Sequence, residues 1–148
     1  MTLLDKITEG ASVKINGDGY KILGKVFYVT QGDPKSSYAK ILLENHYVLV
    51  LVPSEKVAYF GKNKGRLAEF DLYPSKVEFE GKLYNQINHD YQIATQIVFG
   101  SPLEVEGEVE FWDYEVENLI ISVAVVSRDK KRADVVAQYI PYDNIEIV

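Results

Sequence analysis

Glu104-Val105-Glu106-Gly107-Glu108-Val109-Glu110-Phe111-Trp112-Asp113-Tyr114-Glu115-Val116-Glu117 alternates carboxylates with apolar residues, and Leu119 to Val126 answers it across Asn118. A two-residue rhythm places side chains on alternate faces of a strand. Glu104, Glu106, Glu108 and Glu110 therefore share one face, with Val105, Val109 and Phe111 on the other. The phase then slips by one residue, because Trp112, Tyr114 and Val116 are apolar while Asp113, Glu115 and Glu117 are polar. A β-bulge at Phe111-Trp112 would produce such a slip and keep both apolar sets on the core. The pair of segments reads as a long strand and its antiparallel return.

The same rhythm recurs to either side. Val13-Lys14-Ile15-Asn16 is followed by a Gly17-Asp18-Gly19 turn, and Tyr20, Ile22, Gly24, Val26 and Tyr28 fall on one face of the next strand. Tyr38 to Leu43 and Tyr47 to Val52 flank Glu44-Asn45-His46 as a hairpin. Val57 to Phe60 and Arg66 to Leu72 flank a glycine-bounded tip, Gly61 to Gly65. Val77 to Tyr84 reads as a tight hairpin around Gly81, and Tyr91 to Phe99 as another strand. Residues 133–140 fit a strand, although 133, 136, 137 and 140 also share one helical face. The expected fold is all-β, with antiparallel sheets or barrels of about ten to twelve short strands, as closely spaced strands and turn signals indicate.

One echo runs through the pattern. Val13, Ile15, Gly17 and Tyr20 match Val77, Phe79, Gly81 and Tyr84, each pair 64 residues apart. This suggests two related β modules, about 1–73 and 74–148. No low-complexity linker separates them, so residues 1–148 are read as a single domain.

Composition bounds the function. The chain has 148 residues, 47% hydrophobic and 26% charged, and no Cys. A core can form without disulfide or metal staples, and thiolate chemistry is excluded. The N-terminus has no basic region, apolar run or cleavage site of a signal peptide, and Tyr47 to Pro53 is too short to span a bilayer. A cytoplasmic location is expected. The net charge of -6 disfavours nucleic acid and anionic membrane as partners. The one basic cluster, Arg128, Lys130, Lys131 and Arg132, reads as a solvated hairpin tip. Tyr28, Tyr47, Tyr59 and Tyr84 could stack bases, but no basic groove accompanies them.

No motif for catalysis emerges. Neither glycine-rich loop has phosphate-binding spacing or opens a helix. His46 and His89 each sit in what reads as a polar turn. His89-Asp90 could pair a base with its orienter, yet no nucleophile elbow accompanies them. A carboxylate pair would need a cleft and one raised pKa to act in hydrolysis. Zinc and EF-hand spacings are absent, and no cofactor is expected. Carboxylates on one strand face lie about 6.5–7 Å apart, too far for one strand to wrap a cation.

The reading that remains is a non-enzymatic binding or accessory domain acting through protein contacts. Its candidate surface is Glu106, Glu108, Glu110, Trp112, Asp113 and Tyr114, where aromatic anchors beside acidic charge suit a basic protein partner. The alternative is a hydrolase using a carboxylate pair or His89-Asp90. An open sheet edge would also permit homo-oligomerisation.

Gly10, Val13-Lys14-Ile15-Asn16-Gly17, Tyr20 to Val26, Gly107-Glu108 leading into Trp112-Asp113-Tyr114, and Gln138-Tyr139-Ile140-Pro141-Tyr142-Asp143-Asn144-Ile145 together resemble a bacterial family known as domain of unknown function 4178. The resemblance covers order and spacing over most of the chain. That family's pattern has an aromatic, a spacer, a Glu and an aromatic before the apolar run. This chain has Tyr38-Ala39-Lys40-Ile41 there and lacks the Glu. The resemblance implies no catalytic residue and no cofactor.

Overall fold

The computed structural model describes residues 2–32, 37–53, 55–100 and 108–148. Two hairpins organise it. The first joins β1 (Ser12–Ile15) to β2 (Asp18–Thr30), with Val13 opposite Tyr20. The second joins β6 (Lys76–Phe79) to β7 (Lys82–Phe99), with Val77 opposite Tyr84. Both turns need two residues at positive φ, Asn16 and Gly17 in one and Glu80 and Gly81 in the other. That is the geometry whose twist matches the flanking strands.

Each hairpin opens a four-strand meander. The first is β2, β3 (Ser37–Leu43), β4 (Tyr47–Val52) and β5 (Val57–Asn63). The second is β7, β8 (Glu108–Val116), β9 (Leu119–Val126) and β10 (Val135–Ile140). The meanders join antiparallel at both ends, β2 to β7 and β5 to β10, which closes eight strands into a barrel. β1, β6 and β11 (Ile145–Ile147) lie outside the closed ring, giving eleven strands among the described residues. The chain is therefore all-β, and residues 135–140 are strand.

The repeat extends to an irregularity that the sequence reading missed. The pairing register shifts between Ile22 and Gly24 in β2, and between Gln86 and Asn88 in β7. The extra residues, Leu23 and Ile87, are again 64 positions apart. The Leu23 bulge leaves Ile22 in an outer core while Val26 and Tyr28, of the same parity, face the other side. The expected single face from Tyr20 to Tyr28 is thus divided.

The bulge expected at Phe111-Trp112 is not there. β8 pairs with β9 without a break from Val109 to Val116, and the compensating residue is Ile87 on the neighbouring strand. The apparent phase slip has another cause: β8 is buried on both faces. Trp112 and Tyr114 pack outward with Phe70, Phe79 and Val123. Val109 and Phe111 pack inward with Ala124 and Ala133. The same double burial explains β4, whose Tyr47–Val52 run is continuously apolar: Leu49 and Leu51 join an outer core while Val50 lines the interior.

Three further expectations are corrected. Residues 66–72 do not pair with β5 as a hairpin; 68–70 form a short 3-10 turn, and β5 continues through Gly61 to Asn63 to pair with β10. His89 and Asp90 lie in the middle of β7 rather than in a turn. Their polarity reflects a strand with one partly solvated face and one polar interior face. Arg132 is not solvated like Arg128, Lys130 and Lys131, because its guanidinium is largely buried against acidic partners.

The apolar cores thus sit largely outside the barrel. One, under β1, β11 and the Leu3–Lys6 helical turn, covers β2 to β5 and contains Ile7, Val13, Ile41 and Leu49. The other, under residues 67–79, covers β8 and β9. Among the described residues no helix is long and apolar enough to cross a membrane.

Candidate functional site

Because both outer faces take up the apolar side chains, the inward positions can carry polar groups. Lys40 lies between Ala39 and Ile41, Ser122 between Ile121 and Val123, and Asp113 between Trp112 and Tyr114. In each case the neighbours turn outward and the polar residue turns into the lumen. Strand alternation enforces this.

The lumen holds a cavity of about 270 Å³. Its mouth carries Glu55, Ile87 and Asn88, all exposed, and its wall carries Tyr59, Tyr139, Phe111, Gln92 and Asp113. A narrower chamber of about 20 Å³ continues past Tyr59, Gln92 and Ser122 to Lys40. Lys40 Nζ stands 5.4 Å from the centre of the Tyr28 ring.

Asp113 is the chemical focus. Its Oδ1 is sealed from solvent and has no hydrogen-bond partner. Its Oδ2 is 3.5 Å from the Asn88 amide nitrogen. Part of the residue surface stays accessible because it borders the cavity, but the carboxylate is far from bulk water. Desolvation therefore dominates and pushes its pKa up to about 6, against the opposing pull of Ser122, Asn88 and the Lys40 charge.

Two tyrosines face each other across the β5–β10 seam. Tyr59 and Tyr139 are register partners, with ring centroids 6.1 Å apart and planes at 79°. The Tyr139 hydroxyl donates to Glu115 Oε2 at 2.9 Å. Burial raises both phenols, with added repulsion from Asp113 at Tyr59 and from Glu115, Asp113 and Glu55 at Tyr139. Both stay neutral near pH 7, and negative potential collects at this end of the lumen.

The residues expected from sequence separate. Glu106 lies outside the described residues. Glu108 and Glu110 are half-buried on the outer face: Glu108 Oε2 accepts from the Gln31 amide at 3.0 Å, and Glu110 lies 2.7 Å from His89 Nε2. Trp112 is buried, stacked 3.6 Å from Tyr73 on one side and 4.7 Å from His89 on the other. Tyr114 is fully buried against Phe70. Of the five that are described, Asp113 reaches the cavity. His89 and Asp90 alternate to opposite faces, so they do not form a base and its orienter; Asp90 instead accepts from the backbone of Gly32 and Tyr91. The four tyrosines named above also separate, with Tyr59 on the lumen, Tyr47 outside against Tyr20 and Phe60, and Tyr84 in the second outer core. Among the described residues no three His, Asp or Glu side chains converge as a metal site requires.

Sequence reasoning named Tyr59 only as a residue that could stack bases, and missed Tyr139, Asn88, Gln92, Ser122 and Lys40. The available signal was a single polar residue inside an otherwise continuous apolar run, as at Lys40 and Ser122. Comparison with known proteins adds no assignment, since no family model, curated protein or solved structure matches the chain.

Proposed function

We propose that this chain is a non-enzymatic binding domain that takes up a small organic molecule in the lumen of its barrel. Eight strands give an interior that is either filled by side chains or left to hold one small ligand. The observation that carries the reading is the Asp113 carboxylate on an unfilled cavity, with an oxygen that has no protein partner. Ligand sites are concave and mostly apolar, with a few placed polar groups, and perturbed pKa values cluster there. Of the acidic surface expected from sequence, Glu108 and Glu110 alone offer described carboxylates on the outer face, which makes it the weaker basis for a binding role.

Ligand-observed NMR with a library of small fragments tests this, using the wild type and Ile120→Trp, which fills the cavity from its wall. Hits that disappear in a folded Ile120→Trp support the lumen as the site. Hits that persist there, or none with the wild type, would remove it.

A second reading has one observation in its favour. A hydrolase pair needs a cleft and one raised carboxylic acid, and Asp113 supplies both, with Glu115 two positions along the same face. Turnover of an aryl glycoside that vanishes in Asp113→Asn would establish it; no turnover by the wild type would end it for that substrate class.

A further inference from the structure

We infer that the lumen selects a small molecule with a protonated amine on an apolar body, the ammonium lying against Asp113 and the body against Tyr59, Tyr139 and Phe111. This rests on the lumen being the binding site. The argument is one of charge and space. Among the described residues, the wall of the 270 Å³ cavity carries Asp113 and Glu55 and no Lys, Arg or His. Glu115 adds a third carboxylate, held by Tyr139. Both phenols are neutral, and an aromatic ring attracts a cation at its face, where it repels an anion.

Among the described residues Lys40 is the one opposing charge that lines these chambers. It stands beyond the narrow chamber, whose 20 Å³ admits about one water and no ligand group. Its ammonium is drawn over the Tyr28 ring. A carboxylate on a ligand in the wide chamber would therefore meet Asp113 and Glu55 before it met Lys40. A neutral ligand would leave Asn88, Ser122 and the Lys40 charge to offset the desolvation of the carboxylate, and these do not fully offset it. A cationic ligand against the accessible side of Asp113 offsets that cost by its charge.

The charged and titratable groups around Asp113 are Lys40 from β3, Tyr59 from β5 and Tyr139 from β10, with Glu55 at the mouth and Glu115 bonded to Tyr139. The phenols remain protonated below pH 9. Asp113 is thus the group whose loss of charge near pH 6 weakens a cation's hold.

Calorimetric titration with three probes of matched shape tests the inference: benzylammonium, benzyl alcohol and benzoate. Each is run against the wild type, Asp113→Asn and Ile120→Trp, with circular dichroism to check the fold. The expected result is that benzylammonium binds the wild type most tightly and loses about tenfold or more in Asp113→Asn, as for a lost charge-assisted hydrogen bond. Its affinity should also fall as pH drops through 6. If benzyl alcohol or benzoate binds as well as benzylammonium, or Asp113→Asn changes nothing, the charge preference is wrong while the lumen reading survives. If no probe binds, or binding is unchanged in Ile120→Trp, both fail.

Discussion

The Arg132 guanidinium closes on the Asp134 carboxylate from two residues away in the chain, with hydrogen bonds of 3.0 and 2.6 Å. The carboxylate has no exposed surface, and it also accepts from the Leu67 backbone at 2.9 Å. Arg132 reaches on to Asp71 and the Leu67 carbonyl. The Asp134 backbone bonds to Lys64 and Gly65. One residue thus fastens the 64–71 segment over the second outer core. Removing one member of a buried pair leaves the other uncompensated, at a cost of about 3–5 kcal/mol. Arg132→Ala should therefore unfold at much lower urea, whereas Lys131→Ala, at the exposed tip, should shift the midpoint little.

Trp112 should behave as a core residue. It is sandwiched between Tyr73 and His89 and packs with the outer apolar set. Trp112→Ala should cost about 3–5 kcal/mol, the usual range for deleting a large buried aromatic. His89→Ala removes a half-exposed ring and its surface contact with Glu110 and should cost about 1 kcal/mol or less. Urea unfolding followed by circular dichroism separates the two; equal effects would contradict the packing described.

Asp113 makes stability depend on pH in the direction opposite to a salt-bridged carboxylate. Its pKa is raised in the folded state, so the native chain holds a proton that the unfolded chain releases between pH 4 and 6. Stability from this group is present below pH 4 and is lost as pH rises through 6. A shift from 3.8 to about 6 corresponds to about 2–3 kcal/mol. Asp113→Asn should thus be more stable than the wild type at pH 8 and show little gain at pH 4. Thermal melts at the two values decide it. A gain in stability on removing a side chain is characteristic of a residue kept for function.

Gly61 should tolerate no side chain. A Cβ there would stand 2.1 Å from the Val136 carbonyl oxygen and 2.5 Å from Ala137 Cα, both on β10. Gly61→Ala would force apart the β5–β10 seam that closes the barrel, a strain of about 1–3 kcal/mol. Gly65→Ala meets open space but sits at φ +70, so it strains the local backbone without prying the seam. Hydrogen exchange should show loss of protection along β10 in Gly61→Ala only.

The strands and their tight turns are legible in the order of residues alone. Asn16-Gly17 and Gly81 mark hairpins because left-handed backbone favours Asn and Gly, and alternation around Val13, Val77 and Val109 specifies strand. The residue order also showed the 64-residue echo. It could not show that Gly61 belongs to a strand, because close approach from β10 involves a segment far along the chain. Nor could it place the Leu23 and Ile87 bulges, where the side-chain pattern is not broken.

Which side of each strand is the interior depends on the closed fold. Period two states which residues share a face, and a strand in a sheet covered on both sides has two apolar faces to offer. Closure of β2 on β7 and β5 on β10 makes one of those faces a lumen. That closure moves Asp113, Tyr59 and Tyr139 together from separate strands and sends Trp112 and Tyr114 into the outer core. Such pairings are set by contacts between distant segments, and local periodicity carries no record of them.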